Sequence, residues 1–316
     1  MYNAIFTSKT TRSRNSRFLT ALALLICLSI FSGLASAGEG ELSIHYFALQ
    51  RLNGEQAEFA YAGDSILIST PGGKHLLVDA GRPEVGPQVL TRLHELGVDH
   101  LDYVFATHPH VDHIGGFRTI LQEISIGQFY QIALVYDSSH YRAVQSILKE
   151  RNIPNATIEE GDILEVEPGV LLEFFNPPAG TNLSSNEGLS TGGVNDLSLV
   201  FRLTYEDFSA LITGDIYRAR EEYLVEKYGE RLQSRMYDAP HHGQDTSSSN
   251  AFIRTVRPEV SVFSIELLGS VSTFLSLRDL GSKVYVTGLN GDVVIRTDGQ
   301  EISVKVDKEI DSPFLR

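Results

Sequence analysis

The chain has 316 residues but a single cysteine, Cys27, which lies inside an apolar run near the N-terminus. Without a second thiol no intramolecular disulfide can form, and no thiolate metal site can be built beyond residue 27. Basic residues are also scarce: 26 Lys and Arg stand against 40 Asp and Glu, a formal charge of −14. That balance works against polyanionic partners, so long nucleic acid is the less expected partner, although solubility alone accounts for much of the acidity. From Glu41 onward there is no long Pro/Ser/Gly linker, no fixed-period repeat and no second hydrophobic span. One domain over residues 41–306, with a short tail at 307–316, is expected.

Residues 1–37 have no acidic side chain at all. They carry Lys9, Arg12, Arg14 and Arg17, then an apolar stretch from Phe18 to Phe31, then Ala35-Ser36-Ala37. That order of basic, apolar and small residues is that of a secretory signal peptide, and the apolar core falls short of the roughly 20 residues that span a bilayer. Arg14 and Arg17 are not adjacent, which argues against twin-arginine export. Ile26 is not the small residue that a lipoprotein cleavage site needs before its cysteine. Cleavage after Ala37 is expected, leaving 279 residues, periplasmic or secreted, with no stable membrane anchor. Losing four basic residues takes the formal charge from −14 to −18.

Strand-like runs recur at residues 42–47, 65–69, 75–78, 101–107, 128–135, 170–175, 198–204, 209–213, 236–239, 260–265, 283–287 and 293–297. Helical spacing of apolar residues lies between several of them, best over 86–96, 116–123, 140–151, 217–228 and 248–256. Strands alternating with helices, together with consecutive strand pairs, predict sheets covered by outer helices. Residues 178–193, rich in Gly, Ser, Thr and Asn, read as one long loop of the functional or mobile kind.

The stretch Ala106-Thr-His-Pro-His-Val-Asp-His-Ile-Gly-Gly116 places His108, His110, Asp112 and His113 directly after an apolar strand, in a chain with only ten histidines. Residues two apart on an extended strand point the same way, so His108 and His110 project together. Asp112 and His113 follow as the chain turns toward Gly115 and Gly116. Imidazole and carboxylate suit zinc or a similar divalent ion, and four such groups can divide between two ions.

With those residues in place, the chain resembles the metallo-β-lactamase superfamily, and within it the ComEC-like hydrolase domain of competence proteins. The resemblance runs through "GDSILI" (63–68), "LLVDAG" (76–81), "THPHVDHIGG" (107–116), "NDLSLVFRL" (195–203), "FSALITGD" (208–215), "DAPHHG" (238–243) and "VYVTGLNGDVVIRTDG" (284–299). It implies an α/β fold, a four-layer αββα sandwich with metal at one edge of two sheets. It also implies that Asp215 bridges two metals and that the last metal-binding histidine lies at 241–242. We assign His241 as that ligand, because only one of two consecutive side chains at a strand end faces inward; His242 is then expected either toward substrate, as a proton donor or phosphate contact, or in a surface or supporting place. Asp112 is the other candidate for handling the proton. Asp79 is expected either to support a metal-bound imidazole from behind or to be an ordinary turn residue.

One histidine is missing. Many relatives supply a third imidazole to the first metal between the cluster and the bridging Asp. Here the only histidine in that interval is His140, expected as an exposed helix residue. The resemblance to ComEC-like domains, which have an Asn-containing N-x-x-S-L-V there, implies that Asn195, or Asp196 in its place, lies nearest the first metal. Zinc is expected from the His and Asp cluster, and a neutral oxygen ligand at the first site makes manganese the alternative. The resemblance implies a metal-bound hydroxide attacking a phosphodiester, and the charge of −18 favours a small or wall-linked one over long nucleic acid. An amide or lactone hydrolase and a non-catalytic metal-binding module are the alternatives. Two local departures bear on substrate: residues 48–62 form an insertion expected to make a flap, and residues 266–277 lack the Asn and His-Pro found there in relatives.

Overall fold

The computed structural model describes residues 40–50 and 62–310. The proposed signal segment, most of the expected flap and the last six residues of the tail lie outside the described residues. The chain divides into Met1–Glu39 and Gly40–Arg316, and only the second unit is described below.

The first sheet begins with β1 (Leu42–Tyr46), β2 (Ile66–Ser69), β3 (His75–Val78), β4 (His100–Ala106), β5 (Ser125–Gln131) and β6 (Asn155–Thr157). The second follows with β7 (Ile163–Glu167), β8 (Val170–Asn176), β9 (Val200–Tyr205), β10 (Phe208–Ile212), β11 (Met236–Asp238), β12 (Val260–Phe263) and β13 (Lys283–Val286). β14 (Val293–Thr297) and β15 (Ile302–Val306) then return to the first sheet beside β1. The resulting orders are β15-β14-β1-β2-β3-β4-β5-β6 and β13-β12-β11-β10-β9-β8-β7.

Helices fill the intervals: α1 (Gly86–Glu95), α2 (Val111–Ile114), α3 (Phe117–Glu123), α4 (Ser139–Glu150), α5 (Thr191–Asn195), α6 (Arg218–Tyr228), α7 (Asn250–Val256) and α8 (Val271–Asp279). Their apolar faces explain the layers. On β2 and β3, Ile66, Ile68, Leu76 and Val78 face the second sheet, whereas Leu67 and Leu77 face α1, α3 and α4. On β10, Ala210 and Ile212 face inward while Leu211 joins the core under α6 and α7. Strand periodicity of two thus sorts each strand into two cores, and two sheets so sorted need helices on both outer faces. The result is an αββα sandwich.

Topology positions the site. β3, β4 and β5 run parallel in one sheet, and β10 through β13 run parallel in the other. Loops leaving parallel strands emerge at one edge, the usual place for ligands in α/β sheets. The segments after β3, β4, β10 and β11 carry Asp79, His108 to His113, Asp215 and His241-His242. Among the described residues, no helix is long and apolar enough to cross a membrane.

Candidate metal centre

The cluster begins with a close approach of two backbones. Gly63 has φ +91, and a Cβ there would come within 1.7 Å of the Asp112 carbonyl oxygen. Only glycine permits that approach, which sets Asp64 beside the His113 turn. On the neighbouring strand end, Asp79 is itself left-handed at φ 56. Its carboxylate accepts the Thr107 N–H at 2.8 Å and the Thr107 hydroxyl at 2.6 Å. It also accepts from His113 Nδ1 at 2.8 Å. With Nδ1 donating, the Nε2 lone pair of His113 is turned to the cluster interior.

Asp215 sits where β10 ends, after Gly214 bends the chain at φ +52. Its backbone N–H donates to the Ser198 hydroxyl at 3.1 Å. Its Oδ2 lies 3.3 Å from His113 Nε2, 3.7 Å from His108 Nε2 and 3.7 Å from His242 Nε2. His108 Nε2 in turn is 3.0 Å from His110 Nδ1, so the two rings meet beside that carboxylate.

The adjacent histidines at 241 and 242 depart from the strand-alternation reading. Both are left-handed, at φ 52, ψ 46 and φ 58, ψ 21, so an extended strand's alternation does not apply to them. His242 is the buried member: its Nδ1 meets Asp64 Oδ1 at 2.9 Å and its Nε2 lies 3.7 Å from Asp112 Oδ2. His241 instead packs on the Tyr217 ring, centroids 4.9 Å apart, and its Nδ1 meets the Thr246 hydroxyl at 2.5 Å. It faces an open cleft of about 450 Å³ shared with His110, Asp112, Asn195 and Asp215. The geometry therefore puts His242, not the expected His241, among the converging ligand atoms.

Other candidates also find definite places. Asn195, at the end of α5, is buried with its side-chain oxygen lacking a hydrogen bond. Asp196 is turned away: its carboxylate accepts the Tyr217 N–H at 2.8 Å. His140 is partly buried on the cleft wall rather than exposed on the helix, because the first turn of α4 opens onto the cleft. Asp64 was not singled out from the sequence. Its only signal is an acid beside Gly63 at the head of an apolar strand, and its partner His242 is 178 positions away.

Burial is the largest influence on His108, His113, His242, Asp112 and Asp215, and neighbouring charges reinforce or overturn it. Burial and then His113 depress the His108 imidazolium well below its ordinary value. For His113 burial also disfavours the cation, but Asp215 and Asp79 overcome it and hold the ring's pKa well above normal. His242 is raised likewise, against burial, by Asp64 and Asp215. Burial would raise Asp112 and Asp215, yet the surrounding imidazoles keep both below the usual carboxylate range. The cluster is thus a buried set of carboxylates that requires compensating positive charge.

Its donor set fits a divalent cation. One ligand atom each from Asp64, His113, Asp215 and His242 lies within 4.8 Å of all the others. Asp64 stands behind the rings, on the Nδ1 side of His242, while Asp215 meets their Nε2 side. His113 Nε2, Asp215 Oδ1 and Asn195 Oδ1 are buried without a hydrogen bond. Buried polar atoms are rarely left so, and divalent ions bound among these nitrogens and oxygens would satisfy them.

The family profile of the metallo-beta-lactamase superfamily matches residues 60–265, which span this whole cluster. The chain belongs to that superfamily. Competence protein ComA of Neisseria gonorrhoeae is 30% identical over 203 residues, covering 64% of this chain and 25% of ComA. The chain therefore spans about a quarter of the length of that relative. Uncharacterized protein YcaI of Escherichia coli (strain K12) is 34% identical over 70 residues, 22% of this chain and 9% of YcaI. Among solved structures, the metallo-beta-lactamase fold protein YhfI from Bacillus subtilis is similar at 14% identity and TM-score 0.49, covering 78% of this chain and 96% of that one. The ComEC-like resemblance read from the motifs and the αββα sandwich agree with this superfamily membership.

Proposed function

We propose that the protein is a metal-dependent hydrolase acting on a phosphodiester. The observation that carries the reading is the convergence on Asp215 of three imidazole nitrogens, from His108, His113 and His242, with His241 Nε2 farther out at 4.0 Å on the cleft side. In this reading His108 and His110, with Asn195, would hold one ion, and Asp112, His113 and His242 a second, with Asp215 available to both. Divalent ions bound there, zinc or manganese, supply Lewis acidity and a water acidified toward neutral pH. Asp79 and Asp64 fix which nitrogen His113 and His242 present, by accepting the opposite N–H. His241, facing the cleft with Nδ1 tied to Thr246, is placed to hold or pass a proton at Nε2. An oxygen ligand at Asn195 in place of a third imidazole supports an oxygen-tolerant site, suited to the attacking and leaving oxygens of a phosphoryl group.

Export with removal of residues 1–37 belongs to the same proposal, carried by the basic, apolar and small-residue order there. N-terminal sequencing of exported protein should start at Gly38, and a retained N-terminus would contradict it. For the chemistry, the test is a panel with zinc or manganese: bis-p-nitrophenyl phosphate, p-nitrophenyl phosphorylcholine, single-stranded DNA, a chromogenic cephalosporin and a lactone. The diesters should be turned over, and His110→Ala should abolish it. Turnover of the cephalosporin or lactone alone would replace the phosphodiester reading with amide or lactone hydrolysis. A metal-loaded chain inert toward the whole panel would favour a binding module.

A further inference from the structure

The cleft over the cluster has a wall that the metal centre does not use. Tyr136, Ser138, His140 and Thr191 line the same space as Asp112 and Asp215. They come from the segment after β5, the start of α4 and the start of α5. The Tyr136 ring stands edge-on to His110 with centroids 5.7 Å apart, so the wall begins beside the metal-side histidines. Ser138 caps α4 by accepting the Tyr141 N–H at 3.1 Å, and its own hydroxyl hydrogen remains to donate.

Three hydroxyls and an imidazole make a wall of groups that both donate and accept hydrogen bonds. The carboxylates among the described lining residues, Asp112 and Asp215, belong to the metal centre, and no Lys or Arg lies among the rest. A second phosphate lodged on this wall would find no ammonium or guanidinium there, whereas alcohol hydroxyls would meet matched donors and acceptors. We infer that this wall is the subsite for one arm of the substrate, and that the arm is a neutral, hydroxylated group such as a glycerol or a sugar. The inference rests on the phosphodiester reading and names the class of diester. A site built to hydrogen-bond hydroxyls rejects the analogue that lacks them, because its own donors and acceptors are then left unpaired.

The test is steady-state kinetics of the metal-loaded protein on three p-nitrophenyl phosphodiesters whose second arm is propyl, glyceryl or phosphoglyceryl. The glyceryl diester should have a KM about tenfold below both others, the size expected for one or two hydrogen bonds. Tyr136→Phe and Thr191→Val, checked for full metal content, should each shrink that glyceryl-to-propyl ratio several-fold. Equal KM for propyl and glyceryl arms would overturn the subsite while leaving phosphodiester hydrolysis standing. A phosphoglyceryl arm bound best would show that the wall takes an anion, which contradicts the inference. Ratios unmoved in both variants would remove these residues from substrate contact. No turnover of any of the three would overturn the underlying reading and the subsite with it.

Discussion

A histidine in this cluster serves a metal only through the nitrogen that its neighbours leave open. Asp64 takes Nδ1 of His242, and Asp79 takes Nδ1 of His113. His242→Ala should therefore lose one of two bound ions, whereas His241→Ala should keep both and lose turnover. Metal content per chain by inductively coupled plasma mass spectrometry separates these outcomes, and the reverse pattern would restore His241 as the ligand. Asp64→Ala should weaken one ion by roughly 10–100-fold, the usual cost of removing a support behind a ligand, read by competition with a chromogenic chelator. Unchanged affinity would reduce Asp64 to a packing residue. Away from the site, burial and then Arg296 push His45 on β1 down to about 4. Between about 4 and 6.5 the unfolded chain then binds the proton that the folded chain refuses, so stability is full above that window and falls as pH drops through it. His45→Gln should flatten the fall in urea midpoint between pH 7 and pH 5; a parallel fall in both proteins would remove His45 as its source.

Elements were legible where one face is buried and the other is clearly not. The strands His75–Val78 and Val293–Thr297 read correctly to the residue, because their apolar residues sit between turn signals. β7 and β15 were missed: each is an edge strand with several half-exposed residues, so the alternation is diluted by Glu, Ser and Lys. β5 starts three residues earlier than its apolar run suggests, since Gly127 fits against the Asp102 carbonyl of β4, where a Cβ would come within 2.6 Å. α8 was missed because Val271 and Leu275 point to solvent, at 61% and 36% exposure, which blurs its apolar face. The Gly63 approach ties element geometry to the site. Gly63→Ala must strain a left-handed backbone and collide with the Asp112 carbonyl, at a cost of roughly 1–3 kcal/mol for the dihedral alone. Thermal unfolding and metal content should fall together in that variant; a lower Tm with intact metal binding would show that the two segments are independent.

At the scale of the whole molecule, two sheets contribute to one centre: Asp64, Asp79 and the His108–His113 run from the first, Asn195, Asp215 and His242 from the second. The local part of that set was legible, since His108, His110, Asp112 and His113 lie within six positions of one another. The long-range part was legible only through the order of motifs. What spacing could not convey was the left-handed turn that exchanges His241 and His242, or the pairing of Asp64 with a ring 178 positions later. Both are backbone events that depend on the sheets meeting. The most direct test of the two-ion account is a titration of metal-free protein with zinc or manganese while hydrolysis of bis-p-nitrophenyl phosphate is followed. Activity should be absent without metal and rise to a plateau at two equivalents per chain, with Asp215→Ala never reaching it. Hydrolysis that is independent of added metal, or metal binding that saturates at two equivalents with no hydrolysis of this diester, would contradict the account.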